Sequence, residues 1–324
     1  MKALRVVRPG LRTTVEDLGR RGTAVWGVPR GGAFDANALT AANLLLGNRA
    51  DLAGLEMTLR APELEAIGDL DLAYVGVSFD LEVVHHGATR RIEPGTAFGL
   101  ESGARLRGGY STLGARGWLA IGGGVAVVPV LGSRSTELSA RFGGFEGRPL
   151  AAGDVIPIGD VPGTAHAARH ADLVSLDVQP LTLRVLPGPQ LRAMPSGFRE
   201  SFEAIVFEVA RASDRTGVRL SPISGPDLPT GWPPEIEPEG AVAGCVQLPP
   251  DGAPIVLGVD GPATGGYAKP AVVIRADLGL VARLAPSMSV RFRYVTRGEA
   301  VAASARNAAR LAELRSRVAL TSRA

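Results

Sequence analysis

Short apolar runs, each closed by turn residues, recur along the whole chain. They are Ala3–Val7, Leu72–Val77, Leu81–His85, Gly117–Ile121, Val155–Ile158, Leu181–Leu186, Ala204–Val209, Ile255–Val259, Ala271–Ile274 and Val290–Val295. Runs this short, rich in Val, Ile and aromatic residues, predict strands rather than helices. Their number predicts a mainly β protein built as barrels or sandwiches, not an alternating doubly wound α/β sheet. Helical periodicity is clear in two places. The first helix starts at Asp35 as N-cap, turns Leu39, Ala42, Leu45 and Leu46 inward and stops at Gly47, a residue suited to the left-handed turn that closes a helix. The second runs from about Glu299 to Ala319 with Leu311, Leu314 and Val318 on one stripe, and its Arg306, Arg310, Arg315 and Arg317 are read as a solvated face.

Between these runs, Pro162–Asp177 is rich in Ala and His and has no sustained apolar pattern, so it reads as a linker. The expected organisation is a first β-barrel lobe over residues 1–161, a linker over 162–177, a second β-barrel lobe over 178–298 and a C-terminal helix over 299–324. Arg5-Val6-Val7-Arg8-Pro9-Gly10 and Arg184-Val185-Leu186-Pro187-Gly188 open the two lobes in similar ways. The length of 324 residues agrees, because one hydrophobic core seldom grows much past about 250 residues.

Composition sharpens this picture. Apolar residues at 45% and charged residues at 21% are ordinary globular values, which excludes a disordered chain. The 42 Gly and 24 Pro lie mostly between the apolar runs, where tight turns need them. The net charge of +3 comes almost wholly from scattered Arg, with Lys2 and Lys269 the two lysines and only 5% aromatic residues, so no nucleic-acid surface is expected. Cys245 is a lone cysteine, which rules out an intrachain disulfide and a cysteine-based metal site. The first ten residues have no apolar stretch of signal-peptide type, and no run approaches eighteen apolar residues; a cytoplasmic protein without a membrane role is expected.

Common catalytic signatures are missing: there is no Gly-x-x-x-x-Gly-Lys-Ser/Thr, no Gly-x-Ser-x-Gly and no His-Glu-x-x-His. Gly122-Gly123-Gly124 has no following Lys and reads as a turn before it reads as a phosphate cradle. His85 and His86, adjacent on a strand, are expected to point to opposite faces. No metal site is expected. More informative is Asp260-Gly261-Pro262-Ala263-Thr264-Gly265-Gly266-Tyr267-Ala268-Lys269. There Gly265 and Gly266 let the backbone approach a ligand, and Thr264, Tyr267 and Lys269 supply donors. An ammonium at Lys269 can bind a carboxylate or phosphate; the alternative is a solvated lysine at a loop end. Gly132-Ser133-Arg134-Ser135-Thr136 sets a guanidinium between hydroxyl groups, which suits either an anion clamp or a pairing with a loop carboxylate. Ser213-Asp214-Arg215-Thr216-Gly217 is open in the same way, because Asp214 can cap a turn.

These segments, taken in order, resemble the 5-oxoprolinase C-subunit family, also called the allophanate hydrolase subunit 2 or biotin-dependent carboxyltransferase family. The similarity is carried by Arg8-Pro9-Gly10, Thr14 to Asp17, Gly19-Arg20, Gly27-Val28-Pro29, Gly32-Ala33, Asp35, Ala42-Asn43-Leu44, Gly47-Asn48 and Leu55-Glu56. It continues through Leu131 to Thr136, Gly143 to Arg148, Pro187-Gly188-Pro189-Gln190, Ser213-Asp214-Arg215, Val246-Gln247, Pro249 to Gly252, Thr264 to Tyr267 with Lys269, and Asp277-Leu278. Departures from the usual pattern are Glu16 for Gln, Gly31 for Ser, Ala210 for Ser, and Ala263 and Ala268 for Thr and Pro around the Gly-Gly-Tyr core.

The resemblance implies two cyclophilin-like β-barrel lobes with few helices. It also implies ATP-dependent conversion of 5-oxo-L-proline to L-glutamate by a complex with a 5-oxoprolinase B-like protein and an A-like protein, active only when assembled. In that reading Lys269, Tyr267, Arg134 and Arg215 are the catalytic candidates, and Thr264, Gly265, Gly266, Ser133, Ser135 and Asp214 bind the small-molecule substrate. ATP is the expected cofactor of the complex. Biotin enters only through a separate carrier, since the sequence has no Met-Lys-Met. The alternatives are a carboxyltransferase half of a urea carboxylase-type system, or a non-catalytic regulator bound to a homologue of the B-like protein that resembles a kinase inhibitor.

Overall fold

The computed structural model describes residues 2–160 and 179–321; the expected linker at 162–177 lies outside the described residues. The described chain is mainly β and falls into two compact units. One contains residues 2–21, 31–160 and 308–321, the other residues 22–30 and 179–307.

The first unit holds eleven strands: β1 Ala3–Arg8, β2 Arg12–Glu16, β3 Gly54–Thr58, β4 Glu63–Ile67, β5 Leu70–Gly76, β6 Phe79–His85, β7 Ala88–Arg91, β8 Thr96–Leu100, β9 Arg105–Ser111, β10 Arg116–Ile121 and β11 Val155–Pro157. One sheet has the order β11-β1-β4-β9-β6-β7 and the other β2-β3-β10-β5-β8. β10 sits centrally, with Trp118 opposite Glu56 on one side and Val75 on the other, and all six of its residues are buried. That is why Gly117–Ile121 lacks polar alternation: neither face of the strand meets water.

Helix α1, Ala36–Leu45, packs on β5, β8 and β10. The Asp35 carboxylate accepts the Ala38 N–H at 3.0 Å, as expected of an N-cap, and Gly47 follows with φ +70°. Leu39, Ala42 and Leu45 are buried as expected; Leu46 is only half-buried, and Leu44 takes the inward place. The two histidines depart from expectation. His86 leaves the strand at φ +46° and swings back, so its ring lies 3.9 Å from that of His85.

The second unit is a closed barrel. Its strands are β12 Leu181–Pro187, β13 Val206–Val209, β14 Gly217–Ser224, β16 Cys245–Leu248, β17 Ile255–Leu257, β19 Ala268–Val273 and β20 Ser289–Tyr294, and a two-strand ribbon joins β15 Glu239–Gly240 to β18 Thr264–Gly265. The ring closes where β12 pairs in parallel with β20, from Leu181 opposite Val290 to Val185 opposite Tyr294. Helix α2, Phe198–Ala204, supplies Phe198 and Phe202, which stack at 5.4 Å; Phe202 stacks in turn on Phe292 at 4.7 Å. Helix α3, Leu278–Arg283, is as short, and neither spans enough turns to show periodicity in the sequence.

Helix α4, Arg297–Thr321, opens with a reciprocal cap. Glu299 accepts the Thr296 N–H at 2.7 Å, and the Thr296 hydroxyl accepts the Glu299 N–H at 3.2 Å. Leu314 and Val318 are buried, while Arg306, Arg310 and Arg315 are exposed. Among the described residues, no helix is long and apolar enough to cross a membrane.

Candidate functional site

The glycine-rich turn before β19 delivers a lysine into the protein instead of to its surface. Lys269 is 0% exposed, which excludes the solvated loop-end alternative. Its Nζ lies 3.0 Å from Glu239 Oε1 and donates to the carbonyls of Tyr267 at 3.3 Å and Gly265 at 3.5 Å. A buried ammonium persists only where its charge and its donors are matched, and these three acceptors do so.

Gln190 ties the cluster together. Its amide oxygen accepts the Lys269 N–H at 3.0 Å, and its amide nitrogen donates to Glu239 Oε1 at 2.9 Å. Through that hydrogen bond first, and the Lys269 ammonium second, the Glu239 carboxyl is held below the usual carboxylate range. The Tyr294 hydroxyl donates to the Pro270 carbonyl at 3.2 Å, and burial pushes that phenol well up, so it remains a donor. A Cβ on Gly265 would meet Gln247 Nε2, so the Gln247 amide would have to turn aside for any larger residue there. Thr264 is exposed and Gly266 and Tyr267 are half-buried, so the turn presents polar groups at the edge of the lysine site.

In the same unit, Arg215 is buried and forms a two-pronged pair with Asp260, Nε to Oδ2 at 2.7 Å and Nη2 to Oδ1 at 2.9 Å. Asp214 accepts the N–H groups of Thr216 at 2.8 Å and Gly217 at 3.1 Å. The geometry thus gives Asp214 a turn-capping contact and Arg215 an internal carboxylate.

The first unit carries its own polar cluster. Asp17 Oδ1 accepts from the hydroxyls of Ser133 and Ser135, both at 2.6 Å, and from the Gly19 N–H at 2.8 Å; Oδ2 accepts the Arg134 N–H at 2.6 Å. The Arg134 side chain turns away, with Nε donating to the Val127 carbonyl at 2.8 Å. Arg20 is buried behind this loop, where it donates to the Ser135 carbonyl and lies 4.7 Å above the Phe142 ring. A cleft of about 510 Å³ beside it is walled mainly by Val127, Val130, Phe142 and Phe145. The triple glycine offers a phosphate nothing: its three N–H groups go to the Asp71 carbonyl, Asn48 Oδ1 and the Ile121 carbonyl.

Residues 26–294 match the family described as carboxyltransferase domain, subdomain A and B. The chain belongs to this carboxyltransferase domain family. Within it, the chain is 33% identical to the C subunit of 5-oxoprolinase from Escherichia coli over 300 residues, covering 93% of this chain and 94% of that one. The crystal structure of TTHA0988 superposes with a TM-score of 0.79 at 38% identity, covering 90% of this chain and 56% of that chain. The Kluyveromyces lactis urea carboxylase superposes with a TM-score of 0.85 at 27% identity, covering 96% of this chain. The chain therefore spans 56% and 29% of those two solved chains.

In this carboxyltransferase domain Thr264, Gly265, Gly266, Tyr267 and Lys269 share one turn, and the clusters also hold residues that no local motif pointed to: Gln190, Glu239 and, in the first unit, Asp17 and Arg20. Gln190 ends Pro187-Gly188-Pro189-Gln190 and Asp17 ends Thr14 to Asp17, both segments that carry the resemblance. Glu239 had no sequence signal. Gly188 shows why the first of these segments matters, since a Cβ there would collide with the Lys269 carbonyl oxygen and fall 2.7 Å from the Ala271 nitrogen. Backbone cannot rotate aside as a side chain can. Gly188→Ala is expected to destabilise the chain by about 1–3 kcal/mol, read as a lowered urea midpoint; an unchanged midpoint would show that the β19 backbone yields freely.

Proposed function

We propose that the chain is the C-type component of an ATP-dependent 5-oxoprolinase, opening 5-oxo-L-proline to L-glutamate together with B-like and A-like partner proteins. The supporting observation is the match to the C subunit of the E. coli 5-oxoprolinase, which runs through nearly the whole of both chains. An amide carbonyl is a weak electrophile at neutral pH, so ring opening needs activation, which ATP supplies in the complex. The triple glycine has no amide to spare for a phosphate, and we assign ATP to the partner proteins. This chain then contributes charge and donors. Lys269 meets the substrate carboxylate, Tyr267 and Thr264 donate hydrogen bonds, and the Gly265-Gly266 backbone borders the ring.

A second reading is favoured by the superposition on the urea carboxylase: a carboxyltransferase half that receives its carboxyl group from a separate biotin carrier. Co-expression with the B-like and A-like proteins separates the two. The assembled complex should form glutamate from 5-oxoproline and ATP, with no turnover by this chain alone. Light scattering should find one species at micromolar concentration, since proteins that function only together usually bury more than about 2,000 Å². Robust turnover by the single chain, or separate species after co-expression, would overturn the proposal.

A further inference from the structure

Glu239 sits where an anionic ligand of Lys269 would sit. The ammonium has three N–H donors and three acceptors around it. Two are carbonyls of residues two and four positions earlier in the same turn, fixed by that turn. The third is different in kind. The Glu239 carboxylate comes from a separate segment, its side chain is 40% exposed, and it is the acid in direct contact with Lys269.

The segment that delivers Glu239 is built as a strap. Residues 226–238 form neither helix nor strand and contain Pro226, Pro229, Pro233, Pro234 and Pro238, which stiffen it without giving it ladder hydrogen bonds. It carries Asp227, Glu235 and Glu237 and no basic residue. Its attachment near the lysine is short: Ile236 N–H to the Gly266 carbonyl at 2.7 Å, the two-residue pairing of Glu239–Gly240 with Thr264–Gly265, and Ala241 N–H to the Ala263 carbonyl at 2.9 Å. An incoming anion thus meets an acidic strap over a lysine already neutralised.

We propose that Glu239 is an internal carboxylate that closes an anion site at Lys269, and that a substrate carboxylate enters by displacing it as the 226–240 strap lifts. The proposal rests on the reading of Lys269 as the substrate's anion contact, and it adds what keeps that contact shut. Gln190 completes the device: with its oxygen on the Lys269 backbone N–H and its nitrogen on Glu239, it holds the closed state and remains in place to receive the entering carboxylate.

The test uses the composition of the chain. Because Lys2 and Lys269 are its two lysines, acetylation of the full chain by an N-hydroxysuccinimide ester, read by peptide mass spectrometry, reports each ammonium separately. In the wild type Lys269 should react at least tenfold more slowly than Lys2. Glu239→Gln should speed Lys269 at least fivefold with Lys2 unchanged, and Glu239→Asp, which keeps the charge but shortens the reach, should fall between. In Glu239→Gln, 5-oxoproline should restore protection and neutral 2-pyrrolidinone should not. Protection by acetate equal to that by 5-oxoproline would keep the closing role of Glu239 and remove the substrate assignment. Wild-type Lys269 reacting as fast as Lys2, or Lys269 staying unreactive in both variants, would overturn the proposal and leave Glu239 a permanent structural partner.

Discussion

Lys269→Met is expected to lower turnover of the assembled complex at least tenfold, about 1.4 kcal/mol of transition-state stabilisation, and to destabilise the chain itself by about 1–3 kcal/mol. Met keeps most of the buried stem and removes the ammonium. Two carbonyls lose a donor, but at 3.3 and 3.5 Å these are long bonds. Glu239 loses its counter-ion, yet its half-exposed carboxylate can turn to water, so the penalty stays well below that of a sealed pair. A solvated lysine would leave folding untouched when replaced, but Lys269 is fully buried. Urea unfolding of the chain and steady-state glutamate formation by the complex separate the two effects. Full turnover in a destabilised variant would make Lys269 a structural cation only. Lys269→Arg sharpens the result, because a planar fork must fit where a compact ammonium points at two backbone carbonyls; turnover should fall there as well.

Asp17→Ala is expected to cost about 2–4 kcal/mol, the larger of the two losses of stability. One carboxylate takes four donors from two places in the chain: the Gly19 N–H, and the 133–135 segment with its Arg134 N–H and paired serine hydroxyls. Removing it leaves four donors facing one another. The serine hydroxyls can rotate toward their own neighbours, since Ser133 and Ser135 Oγ are 2.9 Å apart, but the two backbone N–H groups cannot. Ser133→Ala should therefore cost less than half as much as Asp17→Ala. Chemical denaturation of both variants measures this, and equal losses would mean that the carboxylate is not the hub.

How far the sequence foretold this depended on the range of the interaction. Apolar runs such as Gly117–Ile121 and Val290–Val295 marked strands because burial writes itself into neighbouring residues. The Asp35 cap and the Gly47 stop were local and were legible for the same reason. α2 and α3 were not, being of seven and six residues. The site divides along the same line. Thr264 to Lys269 stood out as a contiguous motif, whereas Glu239 reaches Lys269 across 30 residues and Asp17 reaches Ser135 across 118. Pairings at that separation leave no spacing to read. At Arg134 the obstacle is orientation: a sequence gives the order of Ser, Arg and Ser but not that the hydroxyls face Asp17 while the guanidinium Nε turns to Val127.

The parallel seam between β12 and β20 has a consequence for how the second unit comes to exist. Its partners stand more than a hundred positions apart, Leu181 with Val290, so closure must await nearly all of the intervening chain. Until then β12 and β20 each present an open edge, the arrangement most apt to recruit a strand from another molecule. Loop-closure entropy at such separation slows the step. During synthesis, at about 5–20 residues per second, the first unit's sheets are fully emerged while the barrel is still unclosed. The interval between release of Leu181 and release of Tyr294 is therefore the period in which this chain is most exposed to misassembly.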